Sequence, residues 1–324
     1  MSVKKAFLPA GLLLAIIVAL LLPGPGIAMQ RAHMIAAFVI VIFLVNGWEF
    51  KISDTRLNRS FLLSFGAVSI ISLLLGPWIG LGISRLFGTE PGLAMGLIIM
   101  SAVPVTLSSA IVMSEISGGN RAWALLMTIG LNLLGIFTVP YMLEFTLQAS
   151  GDINFSPTAL LTKLVGLVLL PFLAGFGLRR LIGSRVGRIP MLGYLPSTCV
   201  ILTVYAAFAV SRDMLGGIPA ASYPLIGGAA LSIHLALMAV ALGAAWLLKL
   251  ARAERHTVLF VTSQKTLPVA VSVIALIAAD SAVAMVPCLL FHFIQLFFDS
   301  FVASHLAPAS ASPKDAKASC NCGQ

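Results

Sequence analysis

The densest chemistry in this chain lies in seven residues, Thr262-Ser263-Gln264-Lys265-Thr266-Leu267-Pro268, set inside an apolar run from about Val258 to Ala279. A helix crossing lipid satisfies its own backbone and has little use for such a polar run. A lysine at mid-membrane costs about 2.5–3.5 kcal/mol on insertion scales, so an intramembrane charge is a functional hypothesis by default. Pro268 removes a backbone donor and clashes with the preceding turn, which predicts a helix break near Gln264–Leu267. A second stretch echoes the first: Pro104-Val105-Thr106-Leu107-Ser108-Ser109, inside the run Gly92–Met113.

A broken helix leaves orphan carbonyls at the end of one half and orphan N–H groups at the start of the next. Macrodipole charges add to them, so crossed breaks offer cation sites beside anion sites. Ser108 and Ser109 are suited to cap the half-helix after Pro104, Thr106 adds another hydroxyl, and Pro268 suits the first turn of its own half-helix. Alternatively, the hydroxyls of Thr106, Ser108, Ser109, Thr262, Ser263 and Thr266 only repair kinks. Two matched breaks favour a site over repair. Lys265 has three readings: snorkelling to an interface, pairing with a carboxylate, or standing where a bound cation would sit, facing carbonyl ends of the first broken helix. Snorkelling is disfavoured, because about 15 Å separates the midplane from either surface.

Asn46 and Asn132 are cavity-lining residues or inter-helix hydrogen-bond partners. His234 and His292 are, taken singly, packed histidines rather than ligands. His292, Gln295 and Asp299 recur at i, i+3 and i+7, which gives one helix a polar stripe: a proton path or a packed contact.

The elements that must position these residues follow from composition. With 59% apolar and 10% charged residues, the chain is no soluble globular protein. It reads as all-α and integral to the membrane, with ten spans at about 6–22, 34–50, 61–87, 92–114, 122–148, 158–180, 192–211, 223–249, 257–279 and 282–306. Pro23–Gly26 reads as a turn between the first two spans. The net charge of +9 does not point to nucleic acid, because the basic residues lie between spans. Of the twenty, fifteen fall on the side of both termini, and only Arg31, Arg85, Lys163 and Arg212 on the other; the twentieth is Lys265. That asymmetry predicts cytoplasmic termini in a plasma (inner) membrane. Cys199 and Cys288 are small hydrophobes in apolar segments. Cys320 and Cys322 close a polar tail, 307–324, expected to be disordered and cytoplasmic.

Ten spans divide into repeats of five, about 6–148 and 158–306, within one transmembrane unit, 1–306. An odd number per repeat inverts the second, so broken spans 4 and 9 would cross near the midplane.

At Pro104-x-Thr106-x-Ser108-Ser109, Gly118-Gly119-Asn120 and Ser263-Gln264-Lys265-Thr266-Leu267-Pro268, the sequence resembles the bile acid:sodium symporter family, in particular its bacterial sodium-dependent-transporter-like branch. The resemblance covers roughly Phe7–Leu306. It implies a panel domain beside a core domain that holds the crossed helices, and sodium ligands at Ser108, Ser109, Asn120, Thr128 and Gln264. Phe260 stands where the family carries a glutamate, and Lys265 is a further departure.

The resemblance, the N–H groups at the half-helix starts and Lys265 together predict a secondary transporter of a small organic anion (a bile-acid-like or other carboxylate or sulfonate solute), working by alternating access with Na+ or H+ as coupling ion and no other cofactor. A cation/proton exchanger is the alternative within transport. A lipid-modifying membrane enzyme is the rival class, against which stands the lack of H-E-x-x-H or Ser/His/Asp spacing.

Overall fold

The computed structural model describes residues 3–50, 58–150, 155–182, 192–215, 217–277 and 282–307. Among them all regular structure is helical. The elements are α1 (Val3–Leu21), α2 (Pro23–Arg31), α3 (Met34–Glu49), α4 (Arg59–Leu86), α5 (Pro91–Ala102), α6 (Leu107–Ile116), α7 (Arg121–Ser150), α8 (Pro157–Ile182), α9 (Leu195–Leu215), α10 (Ser222–Leu247), α11 (Arg252–Ser263), α12 (Leu267–Ile277) and α13 (Met285–Leu306). Among the described residues, by length and composition, seven helical segments can cross a membrane, or nine when each sharply bent pair is one span. The remaining apolar helix, α3, has 16 residues. The protein is a multi-pass membrane protein. The predicted tail, with Cys320 and Cys322, lies outside the described residues except for Ala307.

One expectation fails locally. Pro23–Gly26 is not a turn but the start of α2, with proline at its N-terminus, bent 98° from α1. Proline suits the first helical turn, where its missing N–H would be unpaired anyway. At the bend, the Leu22 carbonyl accepts the Tyr205 hydroxyl at 2.7 Å.

The helices form two groups. One comprises α1, α2, α3, α8 and α9; the other comprises α4–α7 and α10–α13. In the first group α3 and α8 touch backbone to backbone. A Cβ on Gly47 would lie 2.0 Å from the Phe172 carbonyl oxygen, and one on Gly175 would lie 2.0 Å from that of Leu44. Arg179 donates to the Trp48 carbonyl at 2.6 Å and so closes the end of α3.

The second group encloses the predicted breaks. α5 and α6 are bent by 63° across Val103–Thr106. α11 ends at Ser263 and α12 begins at Leu267, so the second break is Gln264-Lys265-Thr266, inside the predicted window. Every residue from His256 to Ile274 is buried, as is every one from Leu93 to Val105. Protein therefore surrounds both breaks except at the half-buried Thr106, and irregular backbone is tolerated at membrane depth where it is buried in protein or lines a cavity.

Candidate functional site

The two breaks lie side by side and bond to each other. Thr266 donates its backbone N–H to the Pro104 carbonyl at 2.9 Å. Thr106 donates its hydroxyl to the Lys265 carbonyl at 2.9 Å. Val103, Thr106 and Gln264 have extended backbone; Val103 and Gln264 still donate their N–H groups to the Ile99 and Phe260 carbonyls, at 3.1 and 3.2 Å, as the last bonds of their helices.

Side chains from neighbouring helices satisfy much of the rest. Gln295 on α13 accepts from the Lys265 N–H at 2.9 Å and donates to the Lys265 carbonyl at 2.7 Å. Asn132 on α7 donates to the Val105 carbonyl at 2.9 Å. The stripe on α13 is therefore a packed contact with the second break: His292 Nδ1 lies 3.0 Å from Gln295 Nε2. Asp299 accepts from Gln264 Nε2 at 2.7 Å, and its other oxygen lies 2.8 Å from His234 Nε2. Gln264 in turn accepts from the Ser109 hydroxyl at 2.5 Å. A buried chain, His234–Asp299–Gln264–Ser109, thus ties α10, α13 and both broken spans together.

Lys265 corrects a further expectation. Its ammonium does not meet carbonyl ends of the first broken helix; Nζ donates to the carbonyl and hydroxyl oxygens of Ser72 on α4, at 2.6 and 2.9 Å. The side chain is fully buried.

The other predicted residues divide. Thr262 and Ser263 spend their hydroxyls on Val258 and Leu259 carbonyls within α11. Thr128 does likewise on Ala124, within α7. Asn120 caps α7 by accepting from Ala122 and Trp123 N–H, and belongs to a separate polar cluster with Ser114 and Thr257. Of the sodium ligands implied by resemblance, only Ser109 and Gln264 bond to each other. Ser108 is exposed to the space described next.

That space is a cavity of about 40 Å³ between the two helix groups, room for roughly three waters. Its polar lining is Asn46, Thr106, Ser108, Asn132, Thr266 and His292. Three buried atoms of that lining have no partner: Asn46 Nδ2, Asn132 Oδ1 and His292 Nε2. Buried polar atoms are rarely left unpaired, so three lining one cavity point to an occupant. The starts of α6 and α12 also reach it, through Leu107 and Pro268. The cap residue of α6, Thr106, makes no side-chain bond to that helix, so first-turn N–H groups remain available for negative charge. His234 was legible only as a lone histidine, because its partner stands 65 residues away.

Ser108 and Ser109 should separate experimentally. Ser109→Ala removes a buried donor to Gln264 and should lower stability by about 1 kcal/mol. Ser108→Ala, at an exposed position, should not move the melting temperature. Thermal unfolding of the two purified variants checks this, and equal losses would contradict the geometry.

A model of the SBF-like CPA transporter family matches residues 6–308. A probable chloroplastic sodium/metabolite cotransporter, BASS4, of Oryza sativa subsp. japonica is 27% identical, covering 93% of this chain and 75% of the relative. An uncharacterized protein of Pseudomonas aeruginosa is 31% identical over 77% of this chain and 75% of its own. Sodium/bile acid cotransporter 7 of Danio rerio is 26% identical over 64% of this chain and 63% of its own length.

Proposed function

The chain belongs to the SBF-like CPA transporter family, and on that premise we propose that it is a secondary transporter of an organic anion, coupled to Na+ or H+ and working by alternating access. The observation that carries this reading is the cavity at the crossed breaks, where three unpaired polar atoms meet the N-terminal ends of α6 and α12. A carboxylate or sulfonate would accept from Asn46 Nδ2 and from the helix N-termini, whereas Asn132 Oδ1 is an acceptor and calls for a donor or a cation beside the anion. Relatives named as sodium/metabolite and sodium/bile acid cotransporters support the solute class and the ion coupling.

Alternating access needs two bodies that part at the site. The α1–α3, α8 and α9 group contributes Asn46, Pro196 and Val200 to the cavity, and the other group contributes the breaks. At about 40 Å³ the cavity is too small for an organic solute, which on this reading is admitted when the groups move apart. We read the chain as ten spans in two inverted repeats, 6–148 and 158–306, with both termini cytoplasmic. Periplasmic labelling of Cys320 in intact cells would refute that orientation.

Uptake of labelled organic anions into proteoliposomes tests the proposal. Saturable accumulation driven by an inward Na+ or H+ gradient is expected. Absence of accumulation across carboxylates and sulfonates, with hydrolysis of the vesicle lipid, would move the protein to the enzyme class. A cation/proton exchanger is the second reading, favoured by the fully buried Asp299 beside the crossing. Cation-driven proton movement without any organic solute would establish it instead.

A further inference from the structure

The Ser72 carbonyl that holds Lys265 is free for a reason that can be read in α4. Residues Ile70–Leu75 form a π turn, so the Gly76 N–H bonds the Ile71 carbonyl rather than that of Ser72. In the π register the Ser72 carbonyl would next take the N–H of residue 77, but residue 77 is proline and has none. The helix thus presents a buried carbonyl with no partner of its own, and the Ser72 hydroxyl stands beside it. Gly76 keeps the approach open: a Cβ there would lie 3.4 Å from Lys265 Nζ and 2.7 Å from the Ser101 carbonyl oxygen. Only acceptors bond Nζ, and the ion pairs among the described residues do not include it.

We propose that this π turn of α4 is a monovalent-cation site, built from the Ser72 carbonyl and hydroxyl, and that the Lys265 ammonium occupies it permanently as a tethered ion. Two oxygens at 2.6 and 2.9 Å are hard donors of the kind that hold an alkali cation or a primary ammonium alike. A covalently attached ion fills such a site without the entropic cost of capturing one from solution. The ion does not exchange, so it contributes charge to the crossing without contributing to stoichiometry. π turns inside helices recur at functional sites, and here the turn has a definite product, one buried carbonyl left out of the helical ladder.

This inference deepens the ion-coupled transport reading, and it rests on that reading only for its transport arm. The direct test is chemical rescue of Lys265→Ala. Alanine keeps Cβ, so n-propylammonium supplies the missing atoms out to Nζ. The purified variant should melt below wild type and regain at least half of the lost melting temperature with n-propylammonium, or with Na+ or K+, at millimolar concentration. Tetramethylammonium, which has no N–H to donate, should not restore it, and none of these ions should shift wild type beyond a common salt effect. Equal shifts of wild type and variant by every cation would overturn the site. If Lys265→Ala does not fold, Lys265→Met carries the opposite control. Its side chain fills the passage, so no cation should rescue it, and rescue there would refute the site. The transport arm uses proteoliposomes: if Na+ takes the vacated place, uptake by Lys265→Ala should gain Na+ dependence, with a steeper Na+ response than wild type. Unchanged Na+ response with intact melting rescue would refute the coupling consequence alone, and failure of uptake in wild type would leave the melting result standing.

Discussion

Gln295→Leu should leave the chain in the membrane and abolish solute uptake. The Gln295 amide is the partner of both polar backbone groups of Lys265. The carbonyl would keep the Thr106 hydroxyl, but the N–H would lose its partner, and a buried donor left unpaired costs about 1–3 kcal/mol. His292 Nδ1 would lose its neighbour as well. The second break would then relax towards a different path, shifting Thr266 and Pro268 in the cavity wall. Gln295→Glu keeps an acceptor for the N–H and loses the donor to the carbonyl, so it should fall between. Melting temperature and uptake, measured on all three proteins, check the order. Wild-type uptake by Gln295→Leu would show that the break holds its shape without α13.

The other large effect is expected at the crossing of α3 and α8. Gly47→Ala would set a Cβ 2.0 Å from a backbone oxygen, far inside contact distance, and no rotamer relieves a clash with backbone. Overpacking commonly costs about 1–3 kcal/mol, and here the helices themselves must separate, so the loss should reach the upper end of that range. Gly175→Ala meets the Leu44 oxygen in the same way. Gly177→Ala on the same helix meets nothing within 4 Å and should be neutral or gain up to about 1 kcal/mol from helix propensity. Thermal unfolding of the three variants decides. Equal behaviour of Gly47→Ala and Gly177→Ala would refute the backbone contact.

The position of the second break was legible because Pro268 and a polar run interrupt an otherwise apolar segment. That it lies beside Pro104–Thr106 was legible from the matched spacing of two interruptions. The His292–Gln295–Asp299 stripe was legible as a face, but sequence alone leaves its partner open, since a period of 3.6 says which residues align and not what they meet. The partner of Lys265 was hidden in a similar way. Ser72 lies in an unbroken apolar run, and only Gly76-Pro77 behind it hints that a carbonyl is left over. Nor could resemblance say that Asn120 and Thr128 are spent on caps and on their own helix, because motif spacing carries no information about hydrogen-bond partners. α2 was misread because proline and glycine punctuate turns and helix starts alike.

The shortness of α3 has a consequence beyond packing. Sixteen residues at about 1.5 Å each give a rod of about 24 Å, against a hydrocarbon thickness of about 30 Å. Its partner α8 is 26 residues long, so the two flanks of the same helix group ask for different bilayers. On the ten-span reading, a helix this short is accommodated by local thinning of the bilayer, by snorkelling of its flanks or by oligomerisation, at a fraction of a kcal/mol per ångström. The acyl-chain length of the surrounding lipid then becomes one of the variables expected to set how easily the two helix groups move apart.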